Sequence, residues 1–305
     1  MGILVLATSA FVQQQLDALR ALAPAERVYT DPATAPAEDV EAILAFKLRA
    51  GIAKRFPHLR LIACAGAGAD DLLATPDLPD VPIVRPVDPL QAQRIAQYVA
   101  LMVLRFHRDL PRLEAQHRDG EWQRFAPPDE HALPVAVLGF GASGQAVKRA
   151  LNALGCDVQA WRRTPGDDGV ASGRDALAGV LGRAAVLVCT LPLTRETRGL
   201  LDAAALRALP EGAYVVDVSR GGIIDHDALR AAIDRGHVAG AALDVFPEEP
   251  LPGDSTLWRH PRILCTPHIA GVPRAHVAVA QFLVNLQRVR EGRPVENAVD
   301  RTRGY

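Results

Sequence analysis

Three polar residues that lie far apart in the chain combine the groups needed to hold an anion and move a proton. They are Arg220 in V-D-V-S-R-G-G, Glu249 in D-V-F-P-E-E-P and His268 in T-P-H-I-A-G. An arginine is charged at any working pH and meets a carboxylate with a planar fork. A histidine titrates near neutrality, and a neighbouring glutamate favours its protonated form. Such a set suits protonating an oxygen of an acidic substrate while another reagent attacks the adjoining carbon. Each of the three follows a short apolar run, so strand ends must bring them together.

A source for that attack is written upstream. The run Gly139-Phe140-Gly141-Ala142-Ser143-Gly144 follows V-A-V-L and opens a helical pattern, the context in which G-x-G-x-x-G cradles a pyrophosphate. Gly139 permits a tight turn, Gly141 lets phosphates approach the backbone, and Gly144 allows close helix–strand packing. The helix N-terminus adds free N–H groups and a partial positive charge. An NAD site usually offers an acid to the ribose 2′-OH about 20 residues further on. Here the next strand, C-D-V-Q-A-W, ends in Arg162-Arg163-Thr164. Two guanidiniums and a hydroxyl suit a 2′-phosphate through charge-assisted bonds, which predicts NADP(H) in preference to NAD(H). The bland alternative is a pair of surface arginines, since only Lys47, Lys54 and Lys148 of the 34 basic residues are lysine.

The elements that must position these residues form two βα series. In the first hundred residues, strands are expected at Ile3–Ala7, Ala42–Ala45, Leu61–Ala65 and Ile83–Val84. Helical spacing occurs at Phe11–Leu22, with a short helix at Ile52–Phe56. A long helix is expected over Pro89–His107, with Ile95, Val99, Met102, Val103 and Phe106 on one face. The segment Arg108–Leu133, with Trp122 and Pro127-Pro128, reads as a polar connection. The second series has strands at Val135–Leu138, Asp157–Trp161, Val186–Thr190, Tyr214–Asp217, Gly240–Asp244 and Ile263–Cys265. Its helices are expected at Gln145–Leu154, Ala203–Ala208 and Ala228–Arg235, and a last helix at Arg274–Glu291. Alternating β and α elements imply parallel sheets.

Composition narrows the class. A net charge of −1 argues against a nucleic-acid binder. The N-terminus M-G-I-L-V-L-A-T-S-A lacks a positive n-region, and no apolar run is long enough to span a membrane. Cys64, Cys156, Cys189 and Cys265 show no C-x-x-C and no metal-ligand spacing, so no metal is expected and a reducing, cytoplasmic setting is. His107, His117, His131 and His226 read as surface or packing residues. Lys47 and Arg49, after a predicted strand, could add positive charge for an acidic substrate.

G-F-G-A-S-G, L-P-L-T-x-x-T (Leu191–Thr197), V-S-R-G-G (Val218–Gly222), A-L-D-V-F-P-E-E-P-L-P (Ala242–Pro252), Leu257-Trp258 and T-P-H-I-A-G (Thr266–Gly271) follow one another in an order and spacing that resembles the D-isomer-specific 2-hydroxyacid dehydrogenases. The resemblance covers nearly the whole chain, including the loop A-C-A-G-A-G-A-D-D (Ala63–Asp71). R-P-V-D (Arg85–Asp88), the W-Q at Trp122 and the ending V-D-R-T-R-G-Y look most like the glyoxylate/hydroxypyruvate reductase A branch.

The fold this implies is α/β, with two doubly wound parallel-sheet (Rossmann-like) domains and an interdomain active-site cleft. Residues 1–95 and 285–305 would form a flavodoxin-like substrate domain, and 96–284 the NAD(P)-binding domain. His268 would protonate the substrate carbonyl as hydride arrives, Glu249 would orient the imidazole and favour its charged form, and Arg220 would bind the substrate carboxylate. Backbone amides near Ala67 and Gly68 would hold the same carboxylate. Asp244 would meet the carboxamide side of the nicotinamide, and Leu191, Pro192 and Val218 would line its wall. Thr197, Ser219 and Ala270 belong to the same cofactor set, together with Ala142, Ser143 and Thr164. Trp258 reads as packing.

The resemblance also implies a homodimer, with the Pro89–His107 helix and the Arg108–Leu133 connection as its interface. Ser143 departs from the family's commoner G-x-G-x-I-G, exchanging an apolar contact for a hydroxyl. The alternatives are a non-enzymatic dinucleotide sensor of corepressor type, or a phosphite or phosphoglycerate dehydrogenase. The formate-oxidising relatives carry Gln where this chain has Glu249.

Overall fold

The computed structural model describes residues 1–6, 10–126 and 133–304. The chain divides into two compact units, residues 1–90 with 272–305, and residues 91–271. Ala7, Pro127-Pro128, His131 and Tyr305 lie outside the described residues.

The first unit is a five-stranded parallel sheet in the order β2-β1-β3-β4-β5. Its strands are β1 (Gly2–Val5), β2 (Arg27–Tyr29), β3 (Val40–Ala45), β4 (Leu61–Cys64) and β5 (Ile83–Val84). This is the flavodoxin-like strand order. β1, β3 and β4 are buried along their whole length, as strands covered on both faces must be. One face packs on α1 (Ala10–Leu22), through Val12, Leu16 and Leu19, and on the last helix, α9 (Ala275–Arg290), through Val279, Phe282 and Leu286. The other face packs Ile43 and Ile62 against Leu48, Phe56 and Leu72, the last of these from the single turn α2 (Asp70–Leu73). Glu41, a buried acid within β3, is neutralised by Arg290 of α9, whose guanidinium reaches it at 2.6 Å and also forks onto Glu26 at 2.6 and 2.7 Å. The C-terminal tail covers the edge of β5, with the Val299 N–H donating to the Ile83 carbonyl at 2.8 Å, so no bare edge is left there.

The second unit holds a seven-stranded parallel sheet in the order β12-β11-β10-β9-β6-β7-β8. Its strands are β6 (Pro134–Leu138), β7 (Asp157–Arg162), β8 (Ala171–Ser172), β9 (Val186–Cys189), β10 (Ala213–Asp217), β11 (Val238–Leu243) and β12 (Ile263–Cys265). The order reverses between β6 and β9, which makes their carboxyl ends the switch point where ligands bind in such sheets. Helices α3 (Pro89–His107), α4 (Leu110–Asp119), α5 (Ala142–Ala153), α6 (Gly173–Leu181), α7 (Ala203–Arg207) and α8 (His226–Asp234) complete the chain order. Val99, Met102 and Val103 of α3 pack into this unit's own core beside Val135 and Val137, and Phe106 stacks on Tyr214 at 4.5 Å between ring centroids. The apolar face that reads as an interface in the sequence is therefore spent largely on the core.

Five elements differ from expectation. β2 is a three-residue edge strand with no fully buried residue, so it leaves no apolar run to read. β8 and α6 lie in the Ala- and Gly-rich stretch after Arg163, where the short helix buries only Leu177, Val180 and Leu181. α4 occupies the expected polar connection. Pro111 is tolerated in its first turn, and Leu110 and Leu113 stay exposed, so no buried face marks it. The expected helix at Ile52–Phe56 is a single tight turn at Ala53–Arg55.

Candidate active site

The residues singled out in the second series sit at the carboxyl ends of six neighbouring strands. Gly139–Gly144 follow β6, Arg162–Thr164 end β7, Leu191 and Pro192 follow β9, Val218–Arg220 follow β10, Asp244 and Glu249 follow β11, and His268 and Ala270 follow β12. A parallel sheet puts all those ends on one edge, which is why residues 130 positions apart can share a site. Ala67 and Gly68 occupy the corresponding place in the first unit, half-buried between β4 and α2. Lys47 and Arg49 are exposed beyond the carboxyl end of β3.

His268 and Glu249 form a hydrogen-bonded pair, imidazole Nδ1 to carboxylate Oε2 at 2.7 Å. The other oxygen, Oε1, accepts the Phe246 N–H at 2.9 Å. With Glu249 ionised, Nδ1 is the donor, and Nε2 is left as the nitrogen able to give or take a proton outward. Burial works against the charged form of Glu249. The His268 hydrogen bond, the Phe246 amide and the charges of His268 and Arg220 outweigh it and hold the carboxyl below the ordinary glutamate range. His268 itself is held in the left-handed region, at φ +53°, a conformation a non-glycine residue keeps only where its surroundings impose it. Asp244 imposes it. The Asp244 carbonyl accepts the His268 N–H at 2.9 Å, while its carboxylate accepts the Thr266 hydroxyl at 2.6 Å and the N–H groups of Ile269 and Ala270 at 2.9 and 2.8 Å. The Thr266 hydroxyl in turn accepts from Tyr98 of α3 at 2.7 Å, because its own proton goes to Asp244.

Arg220 projects from the loop after β10, its Nη1 donating to the Ser219 carbonyl at 2.8 Å. This loop lies so close to the one carrying Glu249 that a Cβ on Gly221 would overlap the Phe246 backbone, which fixes the guanidinium's loop against the carboxylate's. Beneath them Asp217 is fully buried. It accepts from the Ser219 N–H at 3.0 Å and from the Ser219 hydroxyl, and its Oδ2 has no partner among the described residues. Burial pushes this carboxyl up to about 7; the two Ser219 hydrogen bonds oppose the rise, nearby Asp244 adds to it, and Arg220 opposes it.

That shift predicts a pH effect on stability. The unfolded chain releases the Asp217 proton near pH 4, while the folded chain keeps it to about pH 7. Between those values the folded state binds more protons, so its stability falls as pH rises. Asp217→Asn removes the titration. Denaturant midpoints from pH 4 to 8 are expected to show the wild type losing on the order of a few kcal/mol relative to the variant; parallel profiles would contradict this.

The loop after β6 fits a dinucleotide's phosphates. Gly139 has φ +100°, and a Cβ on Gly144 would overlap the Gly139 carbonyl. Around the Cβ position of Gly141 there is only open space, leaving the backbone approachable. α5 starts there with no side-chain cap on its first-turn N–H groups, the arrangement that receives an anion. At the end of β7 each arginine has an acidic partner. Arg162 pairs with Asp168, and Arg163 reaches Glu196 at 2.7 Å and Thr194 at 3.4 Å.

Other expected cofactor residues turn inward. Thr197 is buried, donating to the Pro192 carbonyl at 2.7 Å and accepting the Thr194 N–H at 2.8 Å. Ser219 braces Asp217, and Asp244 is almost fully buried with both oxygens on the His268 loop. Trp258 pins the Glu249 loop, its indole N–H donating to the Pro252 carbonyl at 2.9 Å. His226 packs edge-on against Phe246. Tyr98, Asp217, Asp168 and Glu196 join these partners from outside the expected set. An acid a few residues beyond the arginine pair, and another inside L-P-L-T-R-E-T, were the available signals.

The sequence signature of the family described as "D-isomer specific 2-hydroxyacid dehydrogenase, NAD binding domain" matches residues 100–270. Glyoxylate/hydroxypyruvate reductase A of Salmonella typhi is 35% identical over 258 residues, covering 81% of this chain and 82% of its own. A D-isomer specific 2-hydroxyacid dehydrogenase from Xanthobacter autotrophicus Py2, solved with NADPH and MES, is 40% identical with a TM-score of 0.90 over 100% of this chain and 99% of its own. The NADPH-dependent glyoxylate/hydroxypyruvate reductase of Sinorhizobium meliloti, solved with NADP and sulfate, is 30% identical with a TM-score of 0.90 over the whole of both chains. No helix among the described residues is long and apolar enough to cross a membrane. A nucleotide-cradling loop and an imidazole–carboxylate pair on one sheet edge thus coincide with a sequence likeness that runs through both units: the chain belongs to the D-isomer-specific 2-hydroxyacid dehydrogenase family and is an NAD(P)-binding oxidoreductase.

Proposed function

We propose that the chain reduces a small 2-oxo acid of the glyoxylate or hydroxypyruvate type to the D-2-hydroxy acid, with NADP(H) preferred over NAD(H). The observation that carries this reading is the 2.7 Å pair of His268 and Glu249 on the same sheet edge as Arg220 and the phosphate loop. A nicotinamide cofactor held at the Gly139–Gly144 loop would supply the hydride to the substrate's carbonyl carbon. His268 donates the proton from Nε2 to the carbonyl oxygen, and Glu249 holds the ring by Nδ1 and offsets its charge. Arg220 grips the substrate carboxylate. Leu191, Pro192 and Val218 form the cofactor wall, while Asp244 and Ala270 anchor the loop that aims His268. In this reading the unit of residues 1–90 and 272–305 serves the substrate and the unit of residues 91–271 the cofactor, the boundary expected at 285 moving because α9 packs on the first sheet.

The NADPH and NADP complexes of the Xanthobacter and Sinorhizobium proteins support the cofactor preference, as do Arg162, Arg163 and Thr164 at the end of β7. In the same proposal the protein works in the cytoplasm as a homodimer. Its four free cysteines fit a reducing setting, and Trp122, 88% exposed, with Leu101 on the outer side of α3, offers apolar surface to a second copy.

Mixing the protein with NADPH and hydroxypyruvate tests the reading. Loss of reduced-nucleotide absorbance with accumulation of D-glycerate is expected. No turnover with hydroxypyruvate or glyoxylate, or formation of the L-acid, would overturn it.

A further inference from the structure

The acidic partners of the two β7-end arginines bear on how tightly the cofactor is held. Arg162 is paired with Asp168, which also accepts the Val170 N–H at 3.2 Å and so folds the loop after β7 back on itself. That loop lies directly over the arginine, since a Cβ on Gly166 would overlap the guanidinium. Arg163 is paired with Glu196, whose carboxylate also accepts the Thr194 hydroxyl at 3.0 Å. Donation from Thr194, reinforced by the charge of Arg163, holds Glu196 below the ordinary glutamate range. Glu196 is therefore ionised at neutral pH, and both acids occupy donors that a 2′-phosphate would use.

We propose that Asp168 and Glu196 set the NADP(H)/NAD(H) preference by restraining the affinity for the phosphorylated cofactor. This rests on the reading that Arg162 and Arg163 receive the 2′-phosphate. Without nucleotide the two carboxylates keep the guanidiniums neutralised and in place. An arriving phosphate must displace them or share the arginine donors with them, and it meets two like charges within a few ångströms of its own. An arginine has five N–H donors, so sharing is geometrically open; the repulsion remains. A unit charge at such a distance in a largely solvated site shifts affinity by about 3- to 10-fold. NAD(H) has a hydroxyl in place of the phosphate and escapes most of the effect.

The test is equilibrium binding of NADPH and of NADH, followed by nucleotide fluorescence, for the wild type, Asp168→Asn, Glu196→Gln and Arg163→Ala. The two amide substitutions conserve shape at exposed positions, so the fold is retained. Each is expected to tighten NADPH about 3- to 10-fold while NADH moves less than twofold, and Arg163→Ala is expected to weaken NADPH far more than NADH. NADPH affinity unchanged or weakened in Asp168→Asn and Glu196→Gln, with Arg163→Ala still selective, would overturn the restraint alone. Loss of NADH affinity with no gain for NADPH would mean that the carboxylates read the ribose hydroxyl instead. Equal loss of both cofactors in Arg163→Ala would remove the 2′-phosphate reading itself, and the restraint with it.

Discussion

Replacing His268 by Ala is expected to lower kcat for 2-oxo acid reduction by about 10²–10⁴-fold, the usual contribution of a positioned acid, with nucleotide affinity unchanged. The side chain reaches the rest of the protein through the Nδ1 bond to Glu249, and its backbone is anchored separately by Asp244. The loop should therefore survive removal of the ring, and the loss should fall on the proton-transfer step. Single-turnover oxidation of bound NADPH checks this. Turnover within a few fold of wild type would take His268 out of the mechanism.

The second large effect is expected from Arg220→Ala. A guanidinium that binds a carboxylate through charge-assisted bonds contributes about 3 kcal/mol, or roughly 10²-fold in kcat/KM. If Arg220 also polarises the carbonyl, the loss divides between KM and kcat. Arg220→Lys keeps the charge and loses the planar fork, so it should recover only part of the loss. The control is a 2-oxo compound with an amide in place of the carboxylate. It already lacks the group that Arg220 is proposed to hold, and Arg220→Ala should affect it far less. An equal loss for acid and amide would show that Arg220 acts on something other than the carboxylate.

These sites were legible in the sequence because each rests on a local rule. A glycine is needed where φ is positive or two backbones meet, as at Gly139, Gly144 and Gly221. A polar residue directly after an apolar run lies at a strand end. Strands buried on both faces stand out for the same reason, so the β1, β3, β4 and β6 runs were read within a few residues. What was missed depends on tertiary partners. β2 has little burial to leave a pattern, and α4 exposes the leucines that would have marked it. The run Arg162-Arg163 does not show that Glu196 is brought to Arg163 from a strand end two places across the sheet. The motifs that carry Asp244 and Thr197 do not show that their buried side chains brace the loops of the site. A motif marks where a residue stands, whereas its hydrogen bonds depend on which strand ends the sheet order makes neighbours.

The central claim is most directly tested by initial rates over a panel of 2-oxo acids, with NADPH and NADH compared side by side. Turnover confined to small 2-oxo acids such as glyoxylate and hydroxypyruvate, with kcat/KM higher for NADPH, is the predicted result. No turnover with any 2-oxo acid, or equal use of the two nucleotides, would contradict it.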